Sequence, residues 1–261
     1  MSKGFLQSAI EDQVSQGGRA FIPYIMAGDG GLENLRGQLV LLQEAGATAV
    51  ELGIPFSDPV ADGPTIQEAG KRALANGVTL QDVLKEVERI GSDVSIPIVF
   101  MTYLNPIFKY GIEKFAADCR TAGISGVIVP DLPLEECEIL HGDLVKNDIA
   151  LIQLVSLTSP FERVERIAKA SEGFLYAVTV TGITGARASF AEDLSEHLTK
   201  LKEICPVPVM AGFGISTPDQ VREMSQLADG VIVGSRIIDA LHVGDEQTVR
   251  DLIGAVKEFV V

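Results

Sequence analysis

Short apolar runs alternate eight times with longer amphipathic stretches along this chain, and that alternation limits the fold more than any other feature. The runs are AFIPYIM (Ala20–Met26), AVELGI (Ala49–Ile54), IPIVFMTY (Ile96–Tyr103) and GVIVPD (Gly126–Asp131), then ALIQLVS (Ala150–Ser156), FLYAVTV (Phe174–Val180), VPVMAGFG (Val207–Gly214) and GVIVGS (Gly230–Ser235). A strand with one wet face alternates apolar and polar residues. These runs are apolar almost throughout, which is what strands of a parallel sheet need when both faces are covered. The stretches between them read as helices. Thr79 precedes LQDVLKEVERI, where Leu80, Val83, Leu84, Val87 and Ile90 fall on one face. Pro160 opens a stretch with Phe161, Val164 and Ile167 on one face, and Thr217-Pro218 supply a cap and a first-turn proline. Val249, Leu252, Ile253 and Val256 make the last stripe. Eight βα units without a Ser/Pro-rich linker predict an α/β fold, a closed (β/α)8 TIM barrel forming a single domain over residues 1–261. The residues before Ala20 form an extra N-terminal helix under the barrel. A doubly wound open sheet is the alternative.

Composition agrees with a barrel and narrows the partners. The 261 residues lie close to the roughly 250 of a typical (β/α)8 barrel. The net charge of −15 argues against nucleic acid and anionic membranes, both of which call for clustered Lys and Arg. It also means that a phosphate site must be built locally from backbone N–H groups. Cys119, Cys137 and Cys205 are scattered and form no C-x-x-C pair, as expected of reduced thiols. The amino terminus shows no signal-peptide pattern, and no segment reaches the roughly 18 apolar residues of a membrane span. A cytoplasmic protein is expected.

In a barrel the chemistry sits at the C-terminal ends of the strands and in the loops after them. Those positions hold Glu51 on strand 2, Asp58 and Asp62 in the loop PFSDPVADGP, Tyr103 and Asn105 after strand 3, and Asp131 after strand 4. TGITGAR, AGFGIST and VGSR follow strands 6, 7 and 8. Glu51 stands out, because a charged, unpaired carboxylate inside an apolar strand costs several kcal/mol. It is either a functional acid or a structural one satisfied by backbone N–H groups or an arginine. Asp62 is either a second functional acid or the cap of a turn. A Schiff base would need a lysine at the mouth, and the lysines lie in helical stretches and their flanks, with Lys109 the one marginal candidate. His141, His197 and His242 also fall in helices or adjoining loops, so no metal is expected. General acid–base catalysis by carboxylates remains, with Glu51 leading. Glycines at Gly212–Ser216 and Gly234–Ser235, with Gly182 and Gly185 in the loop after strand 6, suit either a phosphate cradle or tight turns.

At these residues the sequence resembles the tryptophan synthase alpha-subunit family. VELGIPFSDPVADGPTIQ (Val50–Gln67) matches the most specific segment, and FIPYIMAGD (Phe21–Asp29), TGITGAR (Thr181–Arg187), GFGIS and GS follow the family's order across essentially the whole chain. The resemblance implies retro-aldol cleavage of indole-3-glycerol phosphate to indole and glyceraldehyde 3-phosphate, without a cofactor. It implies that Glu51 takes the proton from the C3′ hydroxyl and delivers one to indole C3. Asp62 would hold the indole N–H and stabilise the indolenine. Tyr24, Ile66, Tyr103 and Phe213 would line the indole pocket, and Thr184 would close the site from the loop after strand 6. Gly185, Gly214, Gly234 and Ser235 would hold the phosphate. It also implies docking of a tryptophan synthase beta subunit in an alpha2beta2 complex, through Asp58, Pro59, Asn105, Pro106 and Phe108. The chain departs from many relatives at Gly30-Gly31, where they carry proline, and from some at Tyr24, where they carry phenylalanine. The alternatives are a sugar-phosphate isomerase on the same barrel, a free-standing lyase, and a catalytically weak barrel that mainly activates a partner.

Overall fold

The computed structural model describes residues 2–156, 158–178, 187–212 and 214–256, with side chains of helix Arg187–Ile204 described from residue 194 onward. Eight parallel strands close into a barrel in chain order. They are β1 (Ala20–Met26), β2 (Val50–Gly53), β3 (Ile98–Met101), β4 (Gly126–Ile128), β5 (Ala150–Ser156), β6 (Leu175–Val178), β7 (Val209–Gly212) and β8 (Gly230–Val233). The ring closes where Ala20 pairs with Gly230 and Pro23 with Val233. The open sheet is therefore set aside.

Strand pleating explains the apolar runs. Ala20, Ile22, Val99, Ile128, Ile152, Met210 and Ile232 pack together inside the barrel. Their neighbours in sequence, among them Phe21, Phe100, Val127, Leu151 and Val231, pack outward against the helices. Both faces of each strand are dry, so alternation disappears. Several runs outlast their strands. Tyr103, Asp131, Gly214 and Ser235 lie beyond the last paired residue, where the chain leaves the ladder and forms the mouth.

The bottom is sealed by the predicted extra helix, Lys3–Ser15, whose Ser2 cap accepts the Phe5 N–H. Leu6 and Ile10 are fully buried and belong to the same interior cluster as the strands. A Cβ on Gly173, which has φ +71°, would stand 2.8 Å from Leu6 Cδ2, so a larger residue there would push the plug out. Lys3 adds an ion pair to Glu172 at 2.8 Å, and Glu172 also accepts the Leu151 N–H at 3.1 Å. Elsewhere the expected helix starts are present. Thr79 with Asp82, and Thr217 with Gln220, form reciprocal capping boxes. Val164 and Ile167 are buried as expected, but Phe161, the first residue of its helix, is 46% exposed because the stripe reaches the core only one turn later. No helix among the described residues is long and apolar enough to cross a membrane.

Candidate active site

Glu51 lies on the inner face of β2, where Tyr24 on β1 and Val99 on β3 are its register partners. It is 1% exposed, and its Oε2 has no hydrogen-bond partner. The structural reading of this acid, a carboxylate tied to an arginine or to backbone N–H groups, finds no support for that oxygen. Burial foremost, and then the neighbouring Asp62, push its pKa up to about 8. At neutral pH it is therefore mostly a protonated acid.

Asp62 comes from the loop between β2 and helix Pro64–Ala75. Its Oδ1 is buried and unpartnered, like Glu51 Oε2. Burial raises its pKa, while a hydrogen bond with Tyr103 opposes the rise. The loop is braced from both sides. Gln67 Nε2 donates to the Asp62 carbonyl at 2.8 Å, and the Ala61 N–H donates to Tyr103 Oη at 3.1 Å. The Tyr103 ring packs on Phe56 with centroids 5.3 Å apart.

Both acids face a cavity of about 180 Å³ in the barrel mouth. Tyr24, Ile66, Met101, Ile128, Leu154, Tyr176 and Ile232 line it, a largely apolar space suited to an aromatic ring. The opposite wall holds Gly214, Ile215, Ser216, Gly234, Ser235 and Arg236. Helix Ser235–His242 begins there, and Gly234 caps it without a side-chain hydrogen bond. Free N–H groups and the positive end of a helix thus point at one side of the cavity. Gly214 has φ +75°, a backbone shape that favours glycine. A larger hollow of about 470 Å³ opens on the flank beside helices Leu35–Ala45 and Ser235–His242. Its acids are already matched, Asp29 with Arg72 at 2.6 Å and Glu246 with Arg250 at 3.8 Å.

Of the residues singled out from sequence, Glu51, Asp62, Tyr24, Ile66, Gly214, Gly234 and Ser235 line this one cavity. Tyr103 stands behind Asp62 and is buried. Thr184, Gly185 and Phe213 lie outside the described residues. Asp58 and Asn105 are exposed, Pro59 and Pro106 half-buried, and Phe108 is 51% exposed, all on the two segments joined by the Tyr103–Ala61 contact. Gly212 is closely packed. A Cβ there would lie 2.6 Å from the Tyr176 ring, so the glycine makes room for that phenol. Ser216 is also committed elsewhere, since its N–H donates to Gln220 Oε1 at 2.8 Å. Tyr176 is the residue that sequence reasoning missed. The one available signal was a hydroxyl in the apolar run FLYAVTV, and its inward direction depends on register.

A parallel barrel whose mouth joins two carboxyls, each with one buried oxygen unpartnered, an apolar slot and a free helix start defines a (β/α)8-barrel enzyme of the acid–base class. Comparison with known proteins gives the particular family. The family model for the tryptophan synthase alpha chain matches residues 10–260. The chain is 53% identical over 253 residues to the tryptophan synthase alpha chain of Oceanobacillus iheyensis, covering 97% of each. It is 53% identical over 242 residues to that of Bacillus mycoides, covering 93% of this chain and 94% of the relative. The solved alpha subunit of Legionella pneumophila superposes with TM-score 0.88 at 32% identity, covering 100% and 98% of the two chains. A ligand-free tryptophan synthase structure from M. tuberculosis superposes with TM-score 0.86 at 32% identity, covering 98% of each. The chain belongs to the tryptophan synthase alpha-chain family. Its reaction is the lyase cleavage of indole-3-glycerol phosphate to indole and glyceraldehyde 3-phosphate in tryptophan biosynthesis.

Proposed function

We propose that Glu51 and Asp62 are the acid–base pair of this cleavage. The observation that supports the reading is that each keeps one buried oxygen without a protein partner, and both face the same apolar slot. A protonated Glu51 delivers its proton to indole C3, which makes the ring an indolenine and an electron sink. Asp62 accepts the indole N–H and stabilises the positive charge. The Glu51 carboxylate then takes the proton of the C3′ hydroxyl. The hydroxyl oxygen becomes the aldehyde carbonyl, the bond between C3′ and indole C3 breaks, and its electron pair returns to the ring. Protons balance, and Glu51 ends as it began. A carboxyl titrating near neutrality suits both halves of that task.

Tyr24 and Ile66 hold the indole in this reading. Gly214, Gly234 and Ser235 hold the phosphate through backbone N–H groups and the serine hydroxyl, with Arg236 beside them. Local donors are needed because the whole chain, at −15, repels an anion. The chain works as one barrel domain in the cytoplasm. A beta subunit docks over the mouth through Asp58, Pro59, Asn105, Pro106 and Phe108, in an alpha2beta2 complex.

Indole release from the purified chain, with and without a tryptophan synthase beta subunit, tests both parts. Release that depends on Glu51 and Asp62 and rises with the partner supports the reading. Release unchanged by the partner favours a free-standing lyase.

A further inference from the structure

Asp131, just beyond β4, is the acid at the barrel mouth that the chemistry above leaves unused. Both its carboxylate oxygens accept the Leu104 N–H, at 3.0 and 3.2 Å. Leu104 opens helix Leu104–Tyr110, whose N-cap residue, Tyr103, gives no side-chain cap of its own. The Tyr103 hydroxyl is engaged across the mouth instead, with the Ala61 N–H at 3.1 Å and with Asp62. An acid from the neighbouring strand thus supplies the missing cap from outside. It fixes the peptide that follows Tyr103, and so the direction of a ring whose far end braces the Asp62 loop.

We propose that Asp131 is a positioning residue for the cleavage: by capping Leu104 it sets the Tyr103 phenol, and the phenol sets Asp62. The proposal rests on the reading of Asp62 as part of the acid–base pair. The links run between different elements, from β4 to the segment after β3 and on, through the Ala61 N–H beside Asp62, to the loop after β2. A general structural role would stabilise the helix alone. A positioning role must also reach the titration of Asp62, since the Tyr103 bond opposes the rise that burial causes. The other ionisable groups facing Asp62 are Glu51 on β2, Tyr24 on β1 and, across the cavity, Arg236 after β8.

The test compares Asp131→Ala, Asp131→Asn and Asp62→Asn in the full chain, measuring kcat, KM and the pH profile with indole-3-glycerol phosphate. Asp131→Ala is expected to lower kcat about tenfold through misplacement of Asp62. KM should stay within about twofold, because the phosphate contacts are untouched and the bond from the indole N–H to Asp62 strengthens chiefly as the ring becomes cationic. The limb of the profile that Asp62→Asn abolishes should move to higher pH. Asp131→Asn keeps an acceptor oxygen and should restore most of kcat and the position of that limb. If Asp131→Ala leaves both in place while Asp62→Asn is inactive, the positioning role is wrong and the role of Asp62 stands. A lower melting temperature with reduced kcat but no movement of the limb would also overturn it. Failure of Asp131→Asn to rescue would remove the capping link. Full activity in Asp62→Asn would instead sink the acid–base reading, and the positioning role with it.

Discussion

Glu51 is costly where it stands. A carboxyl with a folded-state pKa near 8 and an ordinary value of 4.5 binds its proton more tightly in the folded chain. Stability linked to it is fully present below about pH 4.5 and is lost as pH rises towards 8. Glu51→Gln, a neutral mimic of the protonated acid, should therefore match wild type near pH 5. At pH 7 it should be the more stable protein by on the order of 3 kcal/mol. Thermal denaturation of both proteins across pH 5–8 measures this, and equal pH slopes would show that Glu51 is not held protonated. The same variant should lose most of its turnover. Glu51→Gln and Asp62→Asn are each expected to lower kcat by about 10²–10⁴-fold with the fold intact. A loss under about threefold in either would take that residue out of the mechanism. Gain of stability with loss of activity at Glu51 is the signature of a group kept for chemistry.

Loops and helices hold these acids in place. The loop after β2 contains glycine and proline, which from composition suggests a segment free to sample many shapes. In the folded chain its Ala61–Asp62 peptide is tied by Gln67 and Tyr103, so the pocket side of the loop is braced before any partner arrives. At the start of helix Ser235–His242, a Cβ on Gly234 would meet Ile66 and Tyr24 at an ordinary 3.6 Å. The position has room, and what it excludes is charge. Gly234→Asp should raise KM at least tenfold by setting a carboxylate beside the phosphate, far more than Gly234→Ala does. Steady-state kinetics on the two variants decides it, and equal KM values would move the phosphate elsewhere. The N-terminal helix has only a structural part. Leu6→Ala should cost about 2–5 kcal/mol through the cavity left at the barrel floor. Its KM should not change, as denaturant melts beside kinetic assays would show.

At the scale of the whole molecule the mouth is both pocket and surface. Val60, 81% exposed, and Phe108, 51% exposed, flank the braced loop on its outer side. In the proposed complex they would lose contact with water when a beta subunit docks. Phe108→Ala should weaken that binding about tenfold, in line with the loss of one buried aromatic anchor. Indole release by the isolated chain should be spared, since Phe108 does not line the cavity. Calorimetric titration with a beta subunit, run beside the partner-free assay, separates the two effects. Unchanged affinity would place the docking surface elsewhere on the molecule.

The barrel was legible in the sequence because covering both faces of every strand leaves a mark at nearly every position, an almost continuous apolar run repeated eight times. Helix starts were legible for a similar reason, since Thr79 and Thr217 act on groups three residues away. Glu51 could be singled out because burial makes one acid conspicuous among apolar neighbours. Tyr176 could not, nor could the packing of Gly212 against it, because each depends on the other across β6 and β7. Asp131 and Leu104 are likewise 27 residues apart, and nothing local foretells their contact. The sequence by itself determined which elements form and which acids are out of place, since those properties depend on near neighbours and on burial. Only the tertiary structure decided which side chains share the mouth and which phenol braces which carboxyl, because strand register and closure of the ring bring those groups together.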